Sequence, residues 1–177
     1  MRWALRFNAH SFMNKVKYLA VLLAIIFVIP IRVLIIAEAG KSFGPVYILC
    51  VPAGETVIIK YVHSVERTPW HHYYVVTANN KLKLVAMRFQ SFGAGVPDYA
   101  PTARIIDGWI EYAGYDQEFS NLLWNVQSSL EHRFEMHGKD IYFGDLVSDQ
   151  GNALIRVAYR PIFYYLLTQN QFRRLRR

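Results

Sequence analysis

Short runs of alternating hydrophobic and polar residues fill most of the chain from residue 43 onward. β-Branched and aromatic residues dominate these runs, and turn-forming residues separate them. Asn79-Asn80 and His137-Gly138 mark tight hairpins, and the sequence SDQGN precedes the last run. The runs are TVIIKYVHSV, YYVVTA, LKLVAMRFQSF, ARIIDGWIEYA, RFEMH, KDIYFGDLV and ALIRVAY. Their spacing predicts an all-β domain over residues 43–160, built as an antiparallel β-sandwich or a barrel.

Residues 116–132, with the sequence DQEFSNLLWNVQSSLEH, also fit a short helix. Phe119, Leu122, Leu123 and Val126 would share one helical face. Trp124 and Val126 also alternate with Leu123 and Asn125, as residues on the two faces of a strand do. We therefore predict strand-containing irregular structure here.

An apolar stretch, YLAVLLAIIFVIPIRVLIIA at residues 18–37, precedes the β-rich region. As a helix it would be about 30 Å long, which matches the hydrocarbon core of a bilayer. We predict a transmembrane helix over residues 15–37, preceded by a basic cytoplasmic segment at residues 1–14. Lys15 and Lys17 flank the N-terminal side, so the positive-inside rule places the β domain on the extracytoplasmic face of the cytoplasmic membrane.

The apolar stretch leaves two questions open. Ala37-Glu38-Ala39 before Gly40 has the pattern of a signal-peptide processing site, although the apolar run is longer than an ordinary signal core. Pro30 removes a backbone donor from the predicted helix, and Arg32 would lie inside the hydrocarbon near its outer edge. We expect Arg32 either to extend to the headgroups or to pair with a group on another membrane subunit.

Composition and charge narrow the function classes. The hydrophobic content is 53% and the mean hydropathy is +0.11, both high for a soluble protein. The net charge of +7 divides into +4 for residues 1–17, −1 for residues 18–169 and +4 for residues 170–177. The nearly neutral body argues against nucleic acid, whereas basic termini suit anionic lipid headgroups. The single cysteine, Cys50, excludes an intrachain disulfide.

The C-terminal segment, residues 161–177, carries aromatic residues followed by arginines. Its apolar run is too short to span a bilayer as a helix. Three interpretations stay open: it lies in the membrane interface with its arginines on headgroups, it docks on a partner, or it is a solvated tail.

The sequence YVHSVERTPWHHYY at residues 61–74 invites a metal-site or catalytic interpretation. His63, Glu66 and His72 could supply a zinc shell. Adjacent strand residues point to opposite faces, so only one of His71 and His72 can join His63, and that set is incomplete. For a hydrolase with Ser64 as nucleophile, the chain offers no Gly-x-Ser-x-Gly elbow. We therefore expect no enzyme activity, no cofactor and no metal.

The sequence RFQSFGAGVPDYAP at residues 88–101 also fits a shaped loop. The spacing Gly93-x-Gly95 is not followed by the lysine or helix start of a phosphate loop. Glycines there permit positive φ or close backbone approach, and Pro97 fixes the exit of the loop. We interpret this loop and the turn SVERTPW, with Trp70 covering it, as elements that fix architecture or form a docking surface.

The paired motifs YVHSVERTPW and FQSFGAGVP resemble the domain of unknown function 1850 family, whose members accompany TAXI-type TRAP transporters. The resemblance is strongest over residues 61–97 and includes the N-terminal anchor. It implies an accessory subunit beside the permease and the extracytoplasmic solute-binding protein of such a transporter.

Two hypotheses follow. The first is a membrane-anchored accessory subunit that contacts the lipid bilayer and docks on the TRAP permease, on the TAXI-type solute-binding protein, or on both. The second is an extracytoplasmic module that captures a small ligand or cation through His63, Glu66 and His72. The candidate partner-binding residues are Arg32, His63, Ser64, Glu66, Trp70, Gly93, Gly95, Pro97, Phe163 and Tyr164.

Overall fold

The computed structural model describes residues 9–41 and 47–175. The predicted segment at residues 1–14 lies largely outside this part of the chain. In chain order the elements are α1 (Ala9–Val28), β1 (Pro30–Glu38), β2 (Tyr47–Cys50), β3 (Thr56–Val62), β4 (Pro69–Val76), β5 (Leu82–Phe89), β6 (Thr102–Ile106), β7 (Trp109–Ala113), β8 (Glu118–Phe119), β9 (Leu122–Asn125), β10 (Arg133–Met136), β11 (Lys139–Tyr142), β12 (Asn152–Pro161) and α2 (Ile162–Leu175).

The strands form two antiparallel sheets, which confirms the all-β prediction. One sheet has the order β2-β1-β12-β9. The other has the order β11-β10-β3-β4-β5-β7-β6, with the short strand β8 paired to β5. Alternate residues from both sheets share one hydrophobic core, so the domain is sandwich-like. Leu34 and Ile36 of β1, for example, lie in the same core cluster as Val57, Ile59 and Trp70 of β3 and β4.

Strand β1 corrects the prediction of a transmembrane helix over residues 15–37. Helix α1 ends at Val28, and a central strand occupies residues 30–38. Leu34 and Ile36 face the main core, while Val33 and Ile35 face a second cluster that includes residues of α2. A strand that is buried on both faces has no polar alternation, so its sequence resembles a helix of the membrane.

Arg32 holds part of the fold together instead of lying in a helix. It sits on β1 and donates hydrogen bonds to Asn80 Oδ1 (2.7 Å), to the Ala78 carbonyl (3.1 Å) and to the Tyr159 hydroxyl (3.1 Å). Asn80 and Ala78 belong to the turn between β4 and β5. Arg32 therefore ties the start of β1 to this turn in the other sheet, and its side chain already has partners within the chain.

Helix α1 packs no face on the sandwich. Every residue from 12 to 30 is exposed. Within residues 9–41 and 47–175, no helix combines the length and the apolar content needed to cross a membrane.

The turns behave largely as the sequence indicates. Asn80 has a positive φ of 59°, and His137-Gly138 join β10 to β11 with φ values of 53° and 68°. Residues 116–132 contain two short strands and a 3₁₀ turn at Ser128–Leu130, which confirms the prediction of irregular strand-containing structure. The run ARIIDGWIEYA proves to be two strands joined at Asp107-Gly108.

Candidate functional site

Two loops that carry the sequence motifs meet at one end of the central strands β3, β4 and β5 of the larger sheet. The first motif loop, residues 63–68, joins β3 to β4, and the second motif loop, residues 90–101, follows β5. Because β3, β4 and β5 are antiparallel neighbours, the end of β3, the start of β4 and the end of β5 lie side by side. The hydroxyl groups of Thr68 and Ser91 are hydrogen-bonded across the two loops at 2.8 Å.

His63 organises the first motif loop from within. Its Nδ1 accepts hydrogen bonds from the backbone N–H groups of Glu66 (3.2 Å) and Val65 (3.4 Å). The His63 carbonyl accepts from the Arg67 N–H at 3.0 Å, and Arg67 has a left-handed φ of 53°. Because Nδ1 is an acceptor, we assign the ring proton to Nε2. Ser64 is exposed in this turn. The Nδ1 atom of His63 is already used to hold the backbone of the loop.

Close contact with the first motif loop and backbone conformation favour glycine at two positions of the second motif loop. A Cβ at Gly93 would overlap the carboxyl end of Glu66, and a Cβ at Gly95 would lie 3.7 Å from His63 Nε2. Gly95 also has φ +82°, a conformation that disfavours other residues. The structure therefore brings together His63, Glu66, Gly93 and Gly95.

Trp70 lies in the core beside these loops. Its indole is only 2% exposed and stacks on His63 (ring centroids 4.7 Å apart) and on Phe89 (4.8 Å). Its Nε1–H has no hydrogen-bond partner in the structure. Trp70 thus links the motif loops to the core, consistent with its predicted covering role. Pro97, the remaining loop candidate, is half-buried.

His72 lies on the same face of β4 as Trp70 and belongs to a partly buried cluster of aromatic side chains. Burial lowers the pKa of His72 to about 4, and its Nε2 shares a hydrogen bond with the Tyr61 hydroxyl at 3.2 Å. Beside them, Trp124 donates from Nε1 to His132 Nδ1 at 2.8 Å, and burial lowers the pKa of His132 as well. These histidines are neutral core groups near pH 7.

The predicted histidine and carboxylate ligands are used in different ways. His63 binds backbone amides, His72 bonds Tyr61, and His71 lies on the opposite face of β4 against Trp109, with ring centroids 4.7 Å apart. Within the described ranges, no group of three or more His, Cys, Asp or Glu side chains is placed to hold a metal ion.

An ion-pair cluster on the outer face of the larger sheet has no signal in the sequence. Glu111 on β7 is 4% exposed and accepts hydrogen bonds from Arg88 Nε (2.6 Å) and Arg104 Nε (2.7 Å). Burial by itself would raise the pKa of Glu111, but the two arginines outweigh it and hold that pKa below the usual value. The cluster joins three neighbouring strands, β5, β7 and β6.

Each motif loop carries an exposed hydrophobic side chain. Val65 in the first loop is 65% exposed and Phe92 in the second is 64% exposed, although both are large and apolar. They could not be identified from the sequence, because exposure within a loop depends on the path of the chain.

The motif loops lie far from helix α1. Strand β4 runs from Pro69 at the loops to Val76, next to the turn that Arg32 binds near the start of β1. Eight strand residues at about 3.3 Å each give a separation of about 25 Å. Among the predicted contact residues, Arg32, Phe163 and Tyr164 therefore occupy the helix end of the domain, and the others occupy the loop end.

Comparison with known proteins finds a similarity to one family over nearly half of the chain. Residues 57–143 match the model of the family described as "Domain of unknown function (DUF1850)". The match runs from β3 to the 3₁₀ turn after β11 and includes both motif loops. The match covers 87 of the 177 residues, and over that stretch the chain is similar to the DUF1850 family. No curated protein and no solved structure matches the chain.

Proposed function

We propose that this protein is an accessory subunit, held at a membrane by its N-terminal helix, that docks on a TAXI-type TRAP transporter through the permease, the solute-binding protein, or both. The observation that carries the proposal is the exposed apolar surface of α1. Between residues 12 and 29, thirteen large hydrophobic side chains are between 41% and 75% exposed. The sandwich has a core of its own, so α1 is free to contact another phase or another protein.

The distribution of these side chains around α1 favours lipid or a membrane subunit as the contact. A helix that packs on one protein surface shows one apolar stripe, whereas a helix that is apolar on all sides is surrounded by an apolar environment. Consecutive residues from Leu19 to Ile29 are all exposed and contain no charged side chain. We therefore propose that α1 contacts both the bilayer and the permease.

The second contact in this proposal is at the motif loops. They lie about 25 Å from the end of α1, measured along β4, and they present Val65 and Phe92 to solvent. A partner at that height stands above the bilayer surface. The extracytoplasmic solute-binding protein fits this position better than the outer surface of the permease. The resemblance to the DUF1850 family implies that the transporter is of the TAXI-type TRAP class.

The alternative, capture of a small ligand or cation by His63, Glu66 and His72, has weaker support. Nδ1 of His63 is occupied by two amides, and His72 is half-buried with a pKa of about 4. Metal analysis of the purified protein separates the two hypotheses, because a stoichiometric ion would favour the alternative.

Affinity purification in mild detergent tests the proposal. The tagged chain should recover both the permease and the solute-binding protein. A double variant, Val65→Asp with Phe92→Asp, should lose the solute-binding protein and keep the permease. Leu123→Asp is the control, because Leu123 is 62% exposed on β9 of the other sheet and should keep both partners.

Two results would contradict parts of this proposal. Recovery of no transporter component by the unaltered chain would remove the accessory role. Full recovery of the solute-binding protein by the Val65 and Phe92 double variant would remove the motif loops as the docking site.

A further inference from the structure

Helix α2 has an exposed apolar side that the sandwich does not cover. Phe163, Leu166 and Leu167 are 38%, 49% and 62% exposed. Their spacing of three and four residues places them on one side of the helix. Tyr164 and Tyr165 instead pack against the smaller cluster that contains Val33, Ile35 and Ile48. The helix is thus fixed to the domain by one side and presents the other outward.

This apolar side begins where α1 ends. The Ile162 N–H donates to the Ile29 carbonyl at 3.0 Å, and Pro30 at the start of β1 pairs with Pro161 at the end of β12. The exposed surface of α1 and the exposed side of α2 are therefore neighbours. A phase that surrounds the C-terminal part of α1 also reaches the first turns of α2.

The charge of the chain favours an anionic lipid surface as the occupant. Residues 170–177, which follow the apolar positions of α2, contain four arginines and no acidic residue. Arg160 precedes the helix, with its guanidinium 6.0 Å from the Tyr164 ring centroid. A helix with leucine and phenylalanine on one side and arginines near its ends is typical of the interface between acyl chains and anionic headgroups.

We propose that α2 lies in the membrane interface, with Phe163, Leu166 and Leu167 among the acyl chains and the neighbouring arginines on anionic headgroups. Together with α1 it supports the domain at two points, which fixes the orientation of the sandwich and turns the motif loops away from the bilayer. This inference rests on the membrane contact of the proposed function and adds a second membrane element to it.

A fluorescent probe on α2 tests this directly in the full-length chain. Cys50 is the only cysteine, so Cys50→Ser permits a single label at Leu167→Cys. The label is an environment-sensitive dye, and the vesicles contain phosphatidylcholine with phosphatidylglycerol. Leu123→Cys is the matched control, because Leu123 has the same exposure of 62% but lies on β9.

The label at position 167 should shift to shorter wavelength when the protein floats with the vesicles, and quenchers attached to acyl chains should reach it. The label at position 123 should show neither effect. Vesicles of phosphatidylcholine alone should give a smaller shift at position 167.

The outcomes separate this inference from the proposed function. Protein that floats while its label at position 167 stays in water would overturn the α2 placement alone, as would a label that is shielded only in the complex with a protein partner. Protein that does not float would remove the membrane contact of both helices. Loss of the transporter partners in affinity purification would leave the α2 result standing.

Discussion

Replacement of Leu34 by alanine tests whether residues 30–38 are a core strand. Leu34, on β1, has no exposed surface and lies in the main core cluster between the two sheets. The change removes three carbons, worth about 2.4 kcal/mol at about 0.8 kcal/mol each. The cavity left behind adds to this loss, so we expect the free energy of unfolding to fall by about 3–4 kcal/mol.

The assay is urea unfolding of the full-length protein in detergent, followed by tryptophan fluorescence. Trp70 is 2% exposed and Trp124 is half-buried, so unfolding of the sandwich changes their environment. The melting temperature should also fall, by roughly 6–16 °C for a chain of this length.

The control is Leu23→Ala on α1, where the side chain is 49% exposed. It should change the stability of the sandwich by less than about 0.5 kcal/mol. If Leu34→Ala also cost less than about 1 kcal/mol, β1 would not be a core strand and the apolar stretch would have to be interpreted as a helix again.

Three further predictions concern polar contacts and the motif loops. Glu111→Gln should lower stability by about 1–2 kcal/mol at pH 7. The folded pKa of Glu111 is depressed, so its stabilisation is complete above about pH 4.3 and is lost as the pH falls through the folded value. The difference from the unaltered protein in urea unfolding should therefore shrink on acidification. Gly93→Ala should displace the Glu66 carboxyl and cost about 1 kcal/mol, and adding Glu66→Ala should remove most of that cost in a double-mutant cycle. Arg32→Leu should lower stability by about 1–2 kcal/mol through its lost hydrogen bonds to the β4–β5 turn, and transporter recovery in detergent should not change.

Each of these predictions has a result that contradicts it. A Glu111→Gln penalty that is constant from pH 7 to acid would mean that the carboxylate charge has no role. Additive losses in the Gly93 and Glu66 cycle would mean that the two loops are not in contact. Loss of the transporter without loss of stability in Arg32→Leu would assign Arg32 to a partner.

The sequence predicted the sheets well because strand periodicity is a local property. Hairpins at residues 79–80 and 137–138 follow from residues that tolerate positive φ. Periodicity was not informative for residues 30–37, because a strand buried on both faces and a membrane helix are both continuous apolar runs. Pro30 was the informative residue: it starts a strand here, where its missing N–H is tolerated.

The candidate site was predictable in kind but not in detail. The motif spacing indicated two shaped loops and a structural need for Gly93 and Gly95. The contact of Glu66 with Gly93 depends on β3, β4 and β5 being neighbours, which is a property of the tertiary fold. The Glu111 ion-pair cluster could not be predicted from the sequence either, since its three charged residues come from three different strands.

The pairing of β1 with β12 imposes an order on how this domain is made. Pro30 pairs with Pro161, so the first strand of the sandwich receives this neighbour only after nearly all of the chain has been synthesised. Such distant pairing slows folding, because a long loop must close before the contact forms. Until then one edge of β1 lacks its hydrogen-bonded neighbour, and such an unpaired edge is a site at which a partly synthesised chain can aggregate.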